Sequence, residues 1–594
     1  MINLKKMNPE EILKKYYGYD YFRKGQREII ESLLKKRDTI AIMPTGAGKS
    51  LCFQIPALIF EGKSIVISPL ISLMKDQVDT LKSMDIHATY INSSLSAEEI
   101  RERTKDFIDG TCKILYIAPE RLNTEFFLNG VSSVEIEQVA VDEAHCVSQW
   151  GHDFRPSYKL IKDFVNNLSG KPVLSAFTAT ATKAVRKDIR HLLGLNLPEI
   201  FNLGLKRSNI YIEVVKGKNK RQFLDDLISK KQGETGIVYC STRKTVDELF
   251  NYLKKKKIRI GKYHAGMNPE ERKEMQEAFI LEDIDLMVAT NAFGMGIDKP
   301  NIRYIVHYNM PKTIESYYQE IGRAGRDGEP SQAYLLYSEV DKRIQRFLIE
   351  KSDLSEERQI VANSKLQNMV NFCHTHECLW KSIALYFGET NESDCQNCLN
   401  CLDENLVEID ITIEAQKILS CVYRMNQSYG ASTVAKVLKG SKSSKIKLKG
   451  FESLSTYGIL KEIKENNIRD LINFLSAEGY LEVSSGLYPI LKLNKKSWKV
   501  LKGEKSVLKK TSFIKEERKE NTHLYDDLKR LRKTISIEEN VPPYVVFHDY
   551  SLNEMSMLKP DTFETFLKIK GVGEKKLKKY GERFLQLIKS HKGS

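Results

Sequence analysis

The stretch Thr39-Ile40-Ala41-Ile42-Met43-Pro44-Thr45-Gly46-Ala47-Gly48-Lys49-Ser50 decides the reading of this chain. Its first residues read as a short apolar strand, its glycines as a turn, and residues 51–60 as the helix that succeeds it. Such a turn aims backbone N–H groups and the positive end of a helix at one point, which is an anion site. Lys49 adds a point charge for the outer phosphates of a nucleotide, and Ser50 offers a hydroxyl to a magnesium ion. The general phosphate-loop pattern opens on a glycine where this chain has Met43, so the match is partial. A strand, turn and helix that merely contain Gly-Lys-Ser are the competing reading. The downstream strand ends, with their acidic and basic residues, favour the phosphate.

Outward from that loop, the whole chain sets bounds. Its 594 residues suffice for several domains. With 41% hydrophobic and 29% charged residues it has ordinary globular composition. No unbroken apolar run has the length of a membrane span, and Met1-Ile2-Asn3-Leu4-Lys5-Lys6 lacks a signal core. A net charge of +15 favours a polyanionic partner, nucleic acid first and an anionic membrane surface second. Of ten cysteines, four gather at 378–401 and the rest scatter, the pattern of a reducing compartment with one candidate metal cluster.

Upstream of the loop lies Tyr19-Asp20-Tyr21-Phe22-Arg23-Lys24-Gly25-Gln26. The Gln26 amide has a donor and an acceptor, which suits an adenine edge, and Tyr19 or Arg23 can stack on a base. Taken alone, a surface glutamine at a helix start explains the segment equally. Downstream, strand-like runs at 64–68, 114–117, 139–141 and 172–177 alternate with helical stretches, so a parallel sheet with helices on both faces is expected. Polar residues collect where these strands end, the edge at which such sheets bind ligands. There Asp142 can hold magnesium and Glu143 can orient and deprotonate water; two acids opening a helix are the plainer alternative. Next comes Cys146-Val147-Ser148-Gln149-Trp150-Gly151-His152-Asp153-Phe154-Arg155-Pro156-Ser157-Tyr158. Its aromatics can stack on unpaired bases with Arg155 on a phosphate, or they can form a buried cluster under a loop; the chemistry alone leaves both open.

A second alternating set starts near Lys206, with strand-like runs at 236–240, 258–263, 286–289 and 304–308. Its strand ends carry polar residues, but it has no phosphate loop. It includes Gln319-Glu320-Ile321-Gly322-Arg323-Ala324-Gly325-Arg326-Asp327-Gly328. Three-residue spacing puts Arg323 and Arg326 on one face of a helix. From a second domain they can complete a nucleotide site held by the first. Further on, Cys378 and Cys395-x-x-Cys398-x-x-Cys401 have the thiolates and spacing of a tetrahedral zinc site. Free thiols or an iron–sulfur cluster are the alternatives, although the fourth cysteine and proline of one ferredoxin pattern are missing. Gly479–Val483 and Leu487–Leu491 around Ser484-Ser485-Gly486 read as a hairpin, with Tyr488 and Lys492 as weak candidates for strand separation or backbone contact. Residues 509–520 read as a charged linker, and 522–594 as a small helical domain. In it Gly571 and Gly573 can expose backbone N–H groups to a phosphate, or simply make a tight turn.

Together, the Gly-Ala-Gly-Lys-Ser loop, Asp142-Glu143-Ala144-His145, Thr178-Ala179-Thr180 and Gln319 to Arg326 resemble a superfamily 2 helicase motor. Arg23-Lys24-Gly25-Gln26, Met43-Pro44-Thr45-Gly46 and Gln149 to Arg155 narrow the resemblance to the RecQ family. Phe387-Gly388-Glu389 between the cysteines resembles that family's zinc-binding segment. The hairpin after helices is similar to its winged helix, and Pro542 to Lys575 to its HRDC module.

The resemblance implies an α/β fold. Two RecA-like motor domains at 1–205 and 206–342 would be followed by a helical zinc-binding subdomain at 343–405. A winged-helix domain at 406–509, a linker at 510–521 and an all-α HRDC domain at 522–594 would complete the chain. It implies an ATP-dependent 3′→5′ DNA helicase of recombination and repair. ATP and magnesium would be held by Tyr19, Arg23, Gln26, Thr45, Gly46, Ala47, Gly48, Lys49 and Ser50. Asp142 would join Ser50 on magnesium, and Lys49, Asp142, Glu143, His145, Arg323 and Arg326 would act in catalysis. Zinc would sit on Cys378, Cys395, Cys398 and Cys401. Trp150, His152, Phe154 and Arg155 would meet DNA, single-stranded and duplex. Single-strand-binding protein is an expected partner; a cytoplasmic monomer at the nucleoid, away from membranes, is the expected state. Three departures stand out: Ala47 where glycine is common, Ser208 where proline is usual, and Leu379-Trp380-Lys381 where arginines are often found.

Overall fold

A computed structural model describes residues 8–151, 153–256, 258–294, 299–390, 393–402, 407–484, 486, 489–511, 523–539 and 541–591. His152, residues 295–298, Ser485, Leu487, Tyr488, residues 512–521 of the expected linker and Thr522 lie outside them.

The first sheet holds β1 (Thr39–Ile42), β2 (Lys63–Ile67), β3 (Ala88–Ile91), β4 (Ile114–Ile117), β5 (Ile136–Val141), β6 (Val173–Thr178) and β7 (Glu199–Asn202). Their order is β3-β4-β2-β5-β6-β1-β7, and every pairing is parallel. β1 is buried along its whole length. Its residues feed two cores in alternation: Ile40 and Ile42 pack on one face, Ala41 and Met43 on the other. That two-sided burial is why the run is continuously apolar rather than alternating with polar residues. Parallel strands bring all carboxyl ends to one edge. The turn at 43–48, Asp142–His145 and Thr178–Thr180 therefore meet, although they are far apart in the chain.

The second sheet holds β8 (Ile210–Lys216), β9 (Gly236–Tyr239), β10 (Ile260–Tyr263), β11 (Leu286–Ala289), β12 (Tyr304–His307) and β13 (Ser331–Tyr337), in the order β10-β11-β9-β12-β13-β8 and again wholly parallel. Its core does not stop at β13. Ile212, Tyr318 and Leu335 share one apolar cluster with Cys378, Trp380, Cys395 and Cys398. Trp380 donates its indole N–H to the Ile210 carbonyl at 3.1 Å. The cysteine-bearing segment is thus an annex of the second motor domain.

The next unit has its own core, with Ile418, Val434, Ile468 and Leu475 among its members. A ribbon of β14 (Val407–Asp410) and a short hairpin of β15 (Glu482–Val483) with β16 (Leu491–Lys492) belong to it. Lys510 and Thr511, which composition gives to the linker, end β17 (Leu508–Thr511) and pair antiparallel with Glu408 and Val407. Register with β14 holds them in a strand despite their polar, charged setting.

The last unit packs helices His523–Glu538, Asp549–Leu558 and Glu582–Ser590 around Leu528, Phe547 and Phe584. It is docked on the second motor domain. Arg532 is fully buried; it donates to Asp549 Oδ1 in its own unit at 2.6 Å and to Glu282 Oε1 across the interface at 3.1 Å. Lys533 reaches Asp283 at 2.8 Å. Burial by itself raises a carboxyl pKa, but Arg532 and Lys299 outweigh it and hold Glu282 well below the usual carboxylate range.

Candidate active site and nucleic-acid interface

At the end of β1 the chain turns through Gly46 (φ +77°) and Gly48 (φ +79°), and the helix Lys49–Ile59 starts. Left-handed φ favours glycine at both positions. At Gly48 space does too, because a Cβ would lie 2.4 Å from Gln26 Nε2. Ala47 between them is not among the positive-φ residues, so alanine costs nothing there. Gln26 is buried under this loop. Its amide donates to the Ala47 carbonyl at 2.9 Å and the Gly48 carbonyl at 3.3 Å, and accepts from the Arg23 N–H at 2.9 Å. Arg23 also donates to the Gly46 carbonyl. In this structure Gln26 and Arg23 brace the loop, and Tyr19 is 40% exposed.

A cleft of about 170 Å³ opens over the loop. Lys49 and Ser50 line it with Asp142, Glu143 and His145 from the first domain, and Arg323 and Arg326 from the second. Lys49 Nζ lies 3.6 Å from Glu143 Oε1. His145 Nδ1 is 3.2 Å from Glu143 Oε2 and 3.0 Å from Thr178 Oγ1, tying the Asp142-Glu143 turn to the end of β6. Glu143 holds a left-handed φ of +46°, a strained setting for a side-chain-bearing residue and one that clusters at functional sites. Burial, with Glu143 beside it, pushes the Asp142 carboxyl up to about 6, and Lys49 pulls the other way. A buried carboxylate that costs this much to ionise, next to a hydroxyl at a helix start, suits a hard divalent cation such as magnesium.

The two arginines do not lie on a helix, which corrects the expectation from spacing. The helix Ile314–Ile321 ends before them, and Arg323 and Arg326 stand in the turns beyond it. Gly325 (φ +53°) takes the chain out of helical geometry. Arg323 is buried and donates to the Gly294 carbonyl.

A clasp between the domains has almost no signature in the sequence. Thr45 Oγ1 donates to the Gly322 carbonyl at 2.9 Å. Arg207, half-buried, donates to the Thr45 carbonyl, to Gly325 O at 2.8 Å and to Ala324 O at 3.2 Å. One guanidinium therefore joins the phosphate loop of one domain to the arginine loop of the other; burial pulls it down to about 10, still charged at neutral pH. Its one signal in the sequence is its place beside Ser208-Asn209, in the passage between the domains.

The segment after Asp142-Glu143 borders two cavities. Cys146 and Asp153 line the smaller cleft over the phosphate loop. Trp150 and Phe154 line a larger one, about 690 Å³, together with Lys312, Arg358 and Lys365. Trp150 is 51% exposed, whereas Tyr158 is buried and donates to the Asp142 carbonyl at 2.8 Å. The buried-cluster reading thus fits Tyr158, while Trp150 stays exposed. Arg155 is held at 2.9 Å by the Pro69 carbonyl and at 3.3 Å by Asp153, and the Phe154 ring lies 5.0 Å from the Arg358 guanidinium. Lys365 donates to the Trp150 carbonyl at 2.7 Å.

The Sγ atoms of Cys378, Cys395, Cys398 and Cys401 all lie within 4.8 Å of one another. Backbone N–H groups point at them: Cys395 to Cys378 Sγ at 3.2 Å, Asn397 to Cys395 Sγ at 3.2 Å, and Leu379 to Cys398 Sγ at 3.4 Å. Such donors stabilise thiolates, and four soft ligands at this spacing fit tetrahedral zinc. Cys373 is buried apart from the cluster.

Five family models match in succession: DEAD/DEAH box helicase (23–188), helicase conserved C-terminal domain (219–328), RecQ zinc-binding (339–402), RQC domain (406–518) and HRDC domain (521–588). The ATP-dependent DNA helicase RecQ of Bacillus subtilis is 48% identical over 583 residues, 98% of each chain. The Pasteurella multocida protein of that name is 40% identical over 98% of this chain and 94% of its own, and the Haemophilus influenzae one 39% over 98% and 96%. Motor, zinc segment and C-terminal units match in one order along nearly the full length, so the chain belongs to the RecQ family of ATP-dependent DNA helicases.

Proposed function

We propose that this chain hydrolyses ATP to move 3′→5′ along single-stranded DNA and to separate duplexes, in recombination and repair. The observation that carries the reading is the 146–158 segment, which walls the cleft of Lys49 and Glu143 on one side and the larger, cation-lined cavity on the other. A strand lying in the second cavity would move Trp150, and through Asp153 and Cys146 the wall of the first.

Lys49 and the loop N–H groups hold the nucleotide phosphates, and Thr45 and Gly46 line the approach from the second domain. Ser50 and Asp142 would hold magnesium, whose chemistry is to neutralise charge on the phosphate oxygens. Glu143, fixed by His145 and Lys49, takes the proton of the attacking water; Arg326, with Arg323 beside it, meets charge on the transferring phosphate. Tyr19, Arg23 and Gln26 form the side where the base sits. Trp150, His152, Phe154 and Arg155 form the DNA side of the relay, and the four cysteines hold zinc as a structural ion. The working units are those expected from sequence, 1–205, 206–342, 343–405, 406–509 and 522–594, except that Lys510 and Thr511 belong with the 406–509 unit through β17 and not with the linker. The chain acts as a cytoplasmic monomer at the nucleoid beside single-strand-binding protein.

ATP hydrolysis measured with no nucleic acid, with single-stranded DNA and with single-stranded RNA tests the reading, with Lys49→Ala as blank. Stimulation by DNA, absent in the blank, is expected, together with unwinding of a duplex that has a 3′ tail. Equal stimulation by RNA would replace the DNA substrate with RNA; no hydrolysis at all would leave only a DNA-binding scaffold.

A further inference from the structure

A second group of metal-ligating side chains lies away from the cysteines, where the motor meets the winged-helix unit. Glu339 opens the helix Glu339–Glu350, His374 ends the helix Glu356–His374, and Asp470 comes from the helix Glu465–Ala477 of the winged-helix unit. One ligand atom from each lies within 4.8 Å of the other two.

The imidazole is set for a cation. His374 is 2% exposed. Its Nδ1 is 2.8 Å from the Val370 carbonyl, which fixes that nitrogen as the N–H donor and turns Nε2 inward. Nε2 is buried with no hydrogen-bond partner, and Asp470 Oδ1 stands 3.5 Å away. In the neutral ring, Nε2 directs a lone pair toward carboxylates, an arrangement that a proton or a metal must resolve. Glu339 is held in turn: Tyr337 Oη and Asn473 Nδ2 both donate to its Oε1, at 2.6 and 2.8 Å. Orienting partners behind an imidazole and a carboxylate are what metal ligands characteristically have. The Asp470 side chain is 43% exposed, which leaves water access to further coordination positions.

We propose that Glu339, His374 and Asp470 form a second divalent-metal site that pins the winged-helix unit to the motor. One imidazole nitrogen and two carboxylate oxygens suit zinc, which takes nitrogen and oxygen ligands as well as thiolates.

The test is a zinc count on the full-length, nucleotide-free protein after equilibration with zinc and gel filtration. Wild type is expected to carry two equivalents, one on the cysteines and one here. Asp470→Asn, conservative and partly exposed, is expected to carry one, with an unchanged circular dichroism spectrum, and His374→Gln likewise. Cobalt replacing the second equivalent should add absorption without a thiolate charge-transfer band, and zinc should raise the melting temperature of wild type but not of Asp470→Asn. A wild type that binds one equivalent, or variants that keep both, would overturn the proposal.

Discussion

Gly322 lies against the phosphate loop, and adding one methyl group there separates closure of the cleft from stability of the domains. Its backbone is ordinary (φ −65°, ψ −5°), so alanine is locally acceptable. A Cβ at this position, however, falls 1.9 Å from Thr45 Oγ1 and 3.1 Å from Thr45 Cβ. Within the second domain the Cβ also comes 3.1 Å from the Tyr318 carbonyl oxygen, a tight contact that offsets the about 0.4–1 kcal/mol gained through the unfolded chain, so the change there should be near neutral. Across the interface it loses the Thr45 hydrogen bond, ~1 kcal/mol, and adds an overpacked contact, ~1–3 kcal/mol. The sum, ~2–4 kcal/mol against the closed state, corresponds to roughly 30-fold to several hundred-fold in closed population. ATP turnover in the presence of single-stranded DNA, set beside the thermal midpoint, reads both effects: kcat/KM falls by up to that factor while the midpoint holds. Thr45→Ala removes the hydroxyl that clashes, so the double variant should recover part of the loss, a coupling of ~0.5–3 kcal/mol. Full activity in Gly322→Ala, or strict additivity in the double variant, would refute the claim that this contact belongs to the active, closed cleft.

The same geometry sets further outcomes. Glu143→Gln should keep ATP binding and lose turnover by ~10²- to 10⁴-fold, the range of general-base catalysis; normal turnover would remove it as the base. Trp150→Ala should weaken single-strand binding by roughly 5- to 150-fold, the worth of one stacked base, with basal hydrolysis spared; equal loss of both points to packing. Glu282→Gln leaves Arg532 its Asp549 partner, so the last unit should stay folded while its docking weakens by ~1.5–3 kcal/mol, read by energy transfer between dyes on the two units. Because the folded-state pKa of Glu282 is depressed, wild-type docking should be full at neutral pH and fade below about pH 4, where an ordinary glutamate protonates; docking that strengthens with acid would contradict the ion bridge. Cys395→Ser should lose the thiolate-bound zinc and lower the melting transition of the second motor domain as well, since they share one core; two separate, unshifted transitions would count against that shared core.

Features written locally were legible in the order of the residues alone. Strands buried on both faces are continuous apolar runs, the phosphate turn is a contiguous string with glycine at its left-handed positions, and the cysteine spacing encodes its own cluster. Parallel-sheet logic then placed Lys49, Asp142 and Glu143 together, because strand ends of one sheet share an edge. Other features are set by groups far apart in the chain that carry no periodic signal. Arg207 clasping Thr45 to Gly325 and Arg532 buried against Glu282 each depend on two units meeting at one angle, and Gln26 spending its amide under the loop depends on how one domain folds back on itself. Trp150 exposed beside a buried Tyr158, and Arg323 and Arg326 in turns after a helix that ends at Ile321, likewise needed three dimensions. Residue type and spacing give a side chain's chemistry and local direction, while its partner is chosen by packing between units, which a linear pattern does not record.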